Sequence, residues 1–272
     1  MHTFITAPFS YLGARAKRML DENFNTASNA SSPFDKAVGE PFVFVVLSQS
    51  QGVGSVDALT ESIAANSRVR QWVSDGVGGD HSFSIFEPDG DELADYTNDP
   101  TDNFVGHPQG GRGTFLQTLS AWLVDTYDRD VYFIHQFQNG APSITWSDGQ
   151  ANAALADAEI PVALAAVGVD APDFVIIDQS FSDAYTYNNV FSTSDKVYAD
   201  TWLSNIEHFE TTWADADSTQ WYVVDTQYEW NNIVAYRNDQ TLDARDTIPP
   251  MRWAGVHKLI STSSKVSVLP SA

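Results

Sequence analysis

Two serine hydroxyls follow the most apolar stretch of the chain. Residues 42–56 read FVFVVLSQSQGVGSV, a run of Phe, Val and Leu that stops at Ser48 and continues in Gln, Ser and Gly. A short apolar run bounded by turn residues predicts a strand buried on both faces, as in a parallel sheet covered by helices. A strand, a tight turn and a helix N-terminus would display Ser48 or Ser50 at the sheet edge, where catalytic serines are often found. We place the predicted nucleophile at Ser50.

The elements that must position this hydroxyl alternate between strand and helix. We predict strands at 82–86, 131–137, 173–178 and 221–227. We predict helices at 56–72, 114–126, 147–159 and 194–214. A long polar loop at 88–112 is a candidate wall of a site. In the first helix, Leu59, Ile63 and Val69 line an apolar face. Strands separated by helices imply right-handed crossovers and a parallel sheet with helices on both faces.

We therefore expect an α/β fold, a three-layer α/β/α sandwich with a mainly parallel sheet of about five strands. This domain spans residues 41–272, and residues 1–40 form an N-terminal extension that docks on the domain or on a partner, or is a loosely packed terminus. Open sheets of this kind bind ligands at the carboxyl ends of their strands. Polar or aromatic residues follow four predicted strands, at 48–54, 138–146, 179–183 and 227–230, which together predict a single site.

Composition excludes several classes of function. The chain has 36 acidic and 14 basic side chains, a net charge of −22, so it would repel nucleic acid and anionic membranes. The excess of acids with few lysines suits a protein kept soluble in concentrated salt, and we expect a halophilic source; the alternative is an ordinary acidic protein.

The absence of cysteine excludes disulfides, thiolate catalysis and Cys-ligated zinc. No apolar run reaches the length of about 20 residues that a membrane helix needs, and the first residues lack the basic region of a signal peptide.

Five sequence blocks carry a family resemblance. They are SQSQGVG at 48–54, GGRGTFLQTL at 110–119, NGAPSITW at 139–146, QSFSDA at 179–184 and AGVHKL at 254–259. In this order they resemble the SGNH hydrolase superfamily, a flavodoxin-like fold, and within it the branch of sialate O-acetylesterases and acetylxylan-esterase-like proteins. The resemblance covers most of the chain after residue 40.

The resemblance implies a role for each matching position. Ser50 aligns with the nucleophile and His257 with the base, while the amide of Gly111 or Gly113 and the side chain of Asn139 would hold the oxyanion. Substrate contacts are assigned to Gln49, Gln179, Trp146 and Trp253. The implied substrate is an O-acetyl group on a carbohydrate. No motif in the sequence indicates a metal, nucleotide or redox cofactor. Trp146, Trp230 and Trp253 could stack on sugar rings if exposed; the alternative for each is core packing.

Three departures from the family pattern fall at chemically important positions. Ser48 replaces a Gly, Phe181 a Glu and Ala254 the Asp that would orient His257. Loss of that acid can lower the rate by about 10⁴-fold. A dyad of Ser50 and His257 would still operate if a backbone carbonyl, or an acid such as Asp243 or Asp246, held the imidazole. The alternative is a catalytically silent module for glycan binding or assembly, on a virion or cell surface of a halophile, with residues 1–40 as its contact to other chains.

The remaining polar clusters have simpler interpretations. His208 stands in EHFE between two glutamates, but adjacent and i+2 residues do not face one another on a helix, so we predict no metal site there. The Asp-rich segment at 89–102 lacks the spacing of an EF-hand and is interpreted as a solvated loop. His135 lies within a predicted strand and is interpreted as a core histidine.

Overall fold

The structure is a computed structural model that describes part of the chain. The described residues are 34, 36–37, 39–48, 66–74, 81–85, 104–105, 120–137, 142–178, 191–224, 259, 262–263 and 265–269. The strands are β1 Phe42–Ser48, β2 Val69–Ser74, β3 His81–Ile85, β4 Phe104–Val105, β5 Val131–Phe137, β6 Phe174–Asp178, β7 Gln220–Val224 and β8 Val266–Leu269. The helices are α1 at 120–127, α2 Ala151–Val167 and α3 Phe191–Thr212, and Ser143–Trp146 form a 3-10 turn.

The strands form one mixed, mainly parallel sheet in the order β3-β2-β5-β1-β6-β7-β8, and β4 pairs with β5 outside this path. Strands β2, β5, β1, β6, β7 and β8 run parallel, whereas β3 and β4 pair antiparallel with their neighbours. The five strands β5-β1-β6-β7-β8 follow the 2-1-3-4-5 order of flavodoxin-like folds. The predicted α/β fold with a mainly parallel sheet is confirmed, although the described sheet is larger than expected.

Both faces of the sheet are buried. Side chains of alternate β1 residues enter different cores: Val43, Val45 and Leu47 join a cluster with α2 and α3, whereas Phe42 and Phe44 join a cluster with α1. The Phe44 ring stacks on Phe174 of β6 with centroids 4.5 Å apart. A strand that is apolar at every position is explained by this arrangement, because each face contacts a helical layer.

Most predicted strands and helices are confirmed within a few residues. The strands expected at 131–137 and 82–86 are β5 and β3, and those expected at 173–178 and 221–227 are β6 and β7, whose continuation past residue 224 lies outside the described residues. The helix expected at 194–214 is α3, and the described part of the helix expected at 114–126 is α1.

The helix predicted at 56–72 is wrong throughout its described part, residues 66–72. Residues 49–65 lie outside the described part, but Val69 begins β2, which pairs parallel with β5 through Val69, Arg70 and Gln71. Trp72 of β2 is 1% exposed. Non-local pairing and burial of this kind override a helical spacing of apolar residues, which reports only local periodicity.

Two further boundaries differ from the prediction. The loop expected at 88–112 contains β4, a two-residue strand beside the end of β5. The helix expected at 147–159 begins later and runs to Val167, through Pro161. Its buried face, which includes Ile160, Ala163 and Leu164, continues past the proline, so packing against the sheet outweighs the loss of one backbone donor.

Residues near the end of the predicted extension pack on the domain. Phe34 contacts the rings of Phe42, Tyr127 and Phe174 with centroids 5.1–6.0 Å apart. Residues 1–33 lie outside the described part, so the boundary at residue 40 stays a prediction. In the described residues, the structure contains no helix of the length and apolarity needed to span a bilayer.

Asp173 ties three strands together at the amino edge of the sheet. Its backbone N–H donates to the Val43 carbonyl at 2.9 Å, its carbonyl accepts from Gln220 N–H at 2.9 Å, and its Oδ2 accepts from Val43 N–H at 2.9 Å. Lys36 forms an ion pair with the other carboxylate oxygen. Burial raises the pKa of Asp173, opposed by Lys36 and by the Val43 N–H.

This raised pKa has a testable consequence for stability. The folded state keeps the Asp173 proton to a higher pH than the unfolded chain, so the contribution to stability falls as pH rises from about 3.9 through the folded pKa. Asp173→Asn does not titrate at this position. As pH rises from about 3.9 through the folded-state pKa of Asp173, we therefore expect the free energy of unfolding of this variant, measured in urea, to increase relative to that of wild type. Asp170→Asn removes an exposed carboxylate and controls for the loss of charge. A deficit of Asp173→Asn that grows with pH would contradict the prediction.

Candidate functional site

Three central strands end side by side at the carboxyl edge of the sheet. Ser48, the last residue of β1, is in register with Phe137 at the end of β5 and with Asp178 at the end of β6. Neighbouring strands are about 4.8 Å apart. The chain places β5 on one side of β1 and β6 on the other, which makes this edge the switch point where flavodoxin-like sheets bind ligands.

Most predicted site residues lie outside the described part of the chain. They are Ser50, His257, Gly111, Asn139, Gln49, Gln179 and Trp253. The structure therefore leaves their roles as predictions. Of the predicted site residues, it describes Trp146.

The described strand ends nevertheless adjoin these residues in sequence. Ser50 follows the end of β1 by two positions, Asn139 follows the end of β5 by two, and Gln179 directly follows the end of β6. Leu259, two positions after His257, is fully buried in the core on the α2 and α3 side. In sequence, His257 lies between β7 and β8, which are parallel neighbours in the sheet.

Trp146 is a core residue and not an exposed stacking surface. Its side chain is 0% exposed, and its ring lies against Trp202 of α3 with centroids 6.4 Å apart. The expectation that Trp146 could stack on a sugar is wrong for this reason, and the alternative of core packing is correct. Position after a strand identified the segment, but it did not reveal that the 3-10 turn directs this side chain between α2 and α3.

Asn205 of α3 holds this 3-10 turn from both ends. Its Nδ2 donates to the Ser143 carbonyl at 3.0 Å, and its Oδ1 accepts from Ser147 Oγ at 2.9 Å. Asn205 is 1% exposed. The sequence analysis did not single out this residue. The sequence does contain a signal for it: Asn205 lies three residues after Trp202 and four before Phe209, so helical spacing places a polar residue on the apolar, buried face.

A second amide braces the same turn from α2. Asn152 Nδ2 donates to Thr145 Oγ1 at 2.8 Å, and that hydroxyl donates to the Pro142 carbonyl at 2.7 Å. Gln136 of β5 donates through Nε2 to the Asn152 carbonyl at 3.0 Å. The turn that follows β5 is thus hydrogen-bonded to groups from both helices, and one of those helices is bonded to β5 itself.

The histidine in EHFE has partners from other elements. His208 Nε2 lies 2.8 Å from Asp157 Oδ2, and its Nδ1 lies 3.9 Å from Asp148 Oδ1. Glu210 forms an ion pair with Lys265 at 2.5 Å. His208 and Glu210 therefore interact with different partners. Across the part of the chain that the structure describes, no group of three His, Asp or Glu side chains is arranged to hold a metal ion. His135 is 3% exposed in β5, in agreement with a core histidine.

Two solved structures resemble this chain at low sequence identity. The Arabidopsis thaliana protein AT4G34215 matches with a TM-score of 0.51 and 12% identity, over 85% of each chain. NanS matches with a TM-score of 0.45 and 12% identity, over 78% of each chain. No protein-family model and no curated protein matches the sequence. The likeness to the Arabidopsis protein shows that the two chains share an α/β fold.

The burial of Trp146 predicts a large stability effect. Trp146→Ala leaves a cavity between α2 and α3, and we expect it to lower the free energy of unfolding by about 3–5 kcal/mol. Ile144→Ala changes an apolar residue of the same turn that is 45% exposed, and we expect a loss of about 0.5 kcal/mol. Urea denaturation measures both variants. Equal losses would show that Trp146 does not pack in the core.

Proposed function

We propose that this chain is an SGNH-type esterase that removes O-acetyl or similar acyl groups from a carbohydrate. The observation that carries the proposal is the position of β1, which ends at the central switch point between β5 and β6, two residues before Ser50. Catalytic serines of α/β hydrolases stand at such a turn after a central strand. The sequence blocks that contain Asn139 and Gln179 follow the two strands that flank β1.

The proposed mechanism uses Ser50 and His257. The imidazole of His257 takes the Ser50 proton while Oγ attacks the ester carbonyl, and the backbone amides of Ser50 and Gly111 with the Asn139 side chain stabilise the oxyanion. The intermediate collapses, the sugar hydroxyl leaves with the proton from His257, and an acyl-serine remains. A water molecule, deprotonated by His257, then attacks the acyl group and releases the carboxylic acid and free Ser50.

The charge of the protein supports an uncharged substrate. A net charge of −22 gives a negative potential that lowers the local concentration of anions at low ionic strength. A neutral acetylated sugar carries no such penalty. The same charge is the reason to assay the enzyme in both concentrated KCl and dilute buffer, because salt screens repulsion between the acidic side chains.

A catalytically silent module is the second candidate. Ala254 stands where the family pattern has the acid that holds the histidine, and a fold that retains its site without this acid would suit binding or assembly. As a glycan-binding module, the second candidate would share the carbohydrate ligand and the carboxyl-edge site with the esterase. They differ in whether Ser50 turns over an ester.

Ester hydrolysis by wild type and Ser50→Ala separates these candidates. With p-nitrophenyl acetate, we expect wild type to hydrolyse the ester and Ser50→Ala to lose at least about 10³-fold in kcat, because the nucleophile is absent. Ser48→Ala, which changes the other hydroxyl of the same block, should keep most of the activity. Equal rates in wild type and Ser50→Ala would overturn the esterase and favour the silent module.

A third acid joins the candidates for holding His257. Of the six parallel strands described, β6 alone ends on an ionisable residue, Asp178, and its Cα is in register with Ser48. Asp243 and Asp246 are the candidates from sequence alone, and they lie outside the described residues. An acid at the end of a central strand stands at the switch point of the sheet.

Neutral substitutions identify which acid acts. We expect Asp178→Asn to lower kcat toward p-nitrophenyl acetate by up to about 10⁴-fold, because an unsupported imidazole is a poor base, and to alter the pH dependence of kcat/KM. Asp243→Asn and Asp246→Asn are the matched controls and should keep most of the activity. A loss confined to either control would assign the role to that residue and remove it from Asp178.

A further inference from the structure

We propose that Asn205 is a positioning residue of the carboxyl-edge site, fixing the turn after β5 and thereby the connection that carries Asn139. This inference rests on the proposed esterase function, since Asn139 is the predicted side-chain donor to the oxyanion. Asn205 acts through the backbone of the turn. It makes no contact with substrate in this proposal.

The two hydrogen bonds of Asn205 require an amide. Its Nδ2 donates to the carbonyl of Ser143, the first residue of the 3-10 turn, and its Oδ1 accepts from the hydroxyl of Ser147, the residue just after it. A carboxylate lacks the donor, and an apolar side chain lacks both groups. One rigid amide therefore sets the spacing between the two ends of the turn.

The surroundings of Asn205 favour a geometric role over a purely stabilising one. Its neighbours on the buried face of α3 are apolar, with Trp202, Ile206 and Phe209 each at most 2% exposed. A hydrogen bond within the protein contributes modestly to stability, because it replaces bonds to water. An amide in this apolar face is therefore explained by the turn that it holds, since an apolar side chain would pack there without any polar group to satisfy.

The fixed turn limits the connection that precedes it. Phe137 is held in the sheet by its pairing with Ser48 and Phe104, and the carbonyl of Pro142 accepts from Thr145 Oγ1 at 2.7 Å. Residues 138–141, which include Asn139, join these two points. Movement of the turn would move the Pro142 end of this four-residue segment relative to Phe137.

This constraint matters for oxyanion stabilisation. A hydrogen-bond donor lowers the barrier when it already points at the site where negative charge develops. Displacement of such a group by about 1 Å can cost about 10²-fold in rate. Loss of the Asn205 amide should therefore lower kcat and leave KM nearly unchanged, since the ground-state ester makes weaker use of the donor than the transition state does.

The chain offers a matched control at the opposite edge of the sheet. Thr219 is 6% exposed, its hydroxyl donates to the Pro172 carbonyl at 2.9 Å, and the same oxygen accepts from Asp215 N–H at 3.0 Å. Thr219→Ala thus removes one donated and one accepted hydrogen bond from a buried side chain, as Asn205→Ala does. The difference between the variants is the end of the sheet at which the bonds are lost.

The experiment compares wild type, Asn205→Ala and Thr219→Ala by thermal unfolding and by p-nitrophenyl acetate hydrolysis. We expect both variants to lower Tm, but only Asn205→Ala to lower kcat, by about 10- to 100-fold, with KM within about twofold of wild type. If Asn205→Ala does not fold, Ser147→Ala replaces it in the comparison. This variant removes only one of the two bonds, so it should lower kcat by a smaller factor. In an Asn139→Ala background, Asn205→Ala should have no further effect on kcat, since the positioned donor is then absent.

The outcomes distinguish a failure of the positioning role from a failure of the proposed esterase. Equal kcat for Asn205→Ala and Thr219→Ala, with wild type active and dependent on Ser50, would overturn the positioning role and leave the esterase intact. Additive losses from Asn205→Ala and Asn139→Ala would also overturn it, because independent sites add. A wild type without Ser50-dependent hydrolysis would overturn the esterase itself, and the positioning role with it.

Discussion

The pairing of β1 between β5 and β6 is the constraint on which the rest of the structure depends. Through it, Ser48 lies in register with Phe137 and Asp178, so three strand ends converge on one edge. The same pairing sends alternate β1 side chains into the two cores. A slip of one residue would exchange these faces and move the strand ends apart. Register, core packing and the location of the proposed site are therefore consequences of one set of hydrogen bonds.

Polar side chains hold the two edges of this sheet in different ways. At the amino edge, the carboxylate of Asp173 is bonded to the Val43 N–H and paired with Lys36, and it secures strands to one another. At the carboxyl edge, the amides of Asn205 and Asn152 secure a turn to the helices. Buried polar groups need partners wherever they stand. Of these side chains, those at the carboxyl edge lie beside segments where a ligand would bind. Their loss would therefore affect both stability and the proposed site, whereas loss of the Asp173 carboxylate would affect stability.

The elements predicted from sequence were those with strong local patterns. The apolar runs of β1, β5 and β6 predict strands without knowledge of their neighbours. Strand β2 reads VRQWVS and lacks such a run, so its pairing with β5 is not visible in the local pattern. Trp146 shows the same limit at the site, since its place after a strand was predictable and the direction of its side chain was not. Asn205 holds the turn after β5 through residues 58 and 62 positions away in sequence, which local patterns do not report. Ser50 and His257 were assigned by resemblance, and their roles stay predictions.

In the proposed esterase, Ala254 in place of the usual acid changes what the rest of the site must supply. In a triad the acid orients the imidazole and stabilises its charged form, so a dyad loses rate at the proton-transfer step and leaves oxyanion stabilisation untouched. Residual activity in such a site depends more heavily on donors that are already in place. The bracing of the turn after β5 by side chains from α2 and α3 is the kind of preorganisation that persists when the acid is lost. If neither Asp178 nor another acid holds His257, proton transfer would limit the rate of such an esterase more than oxyanion stabilisation does.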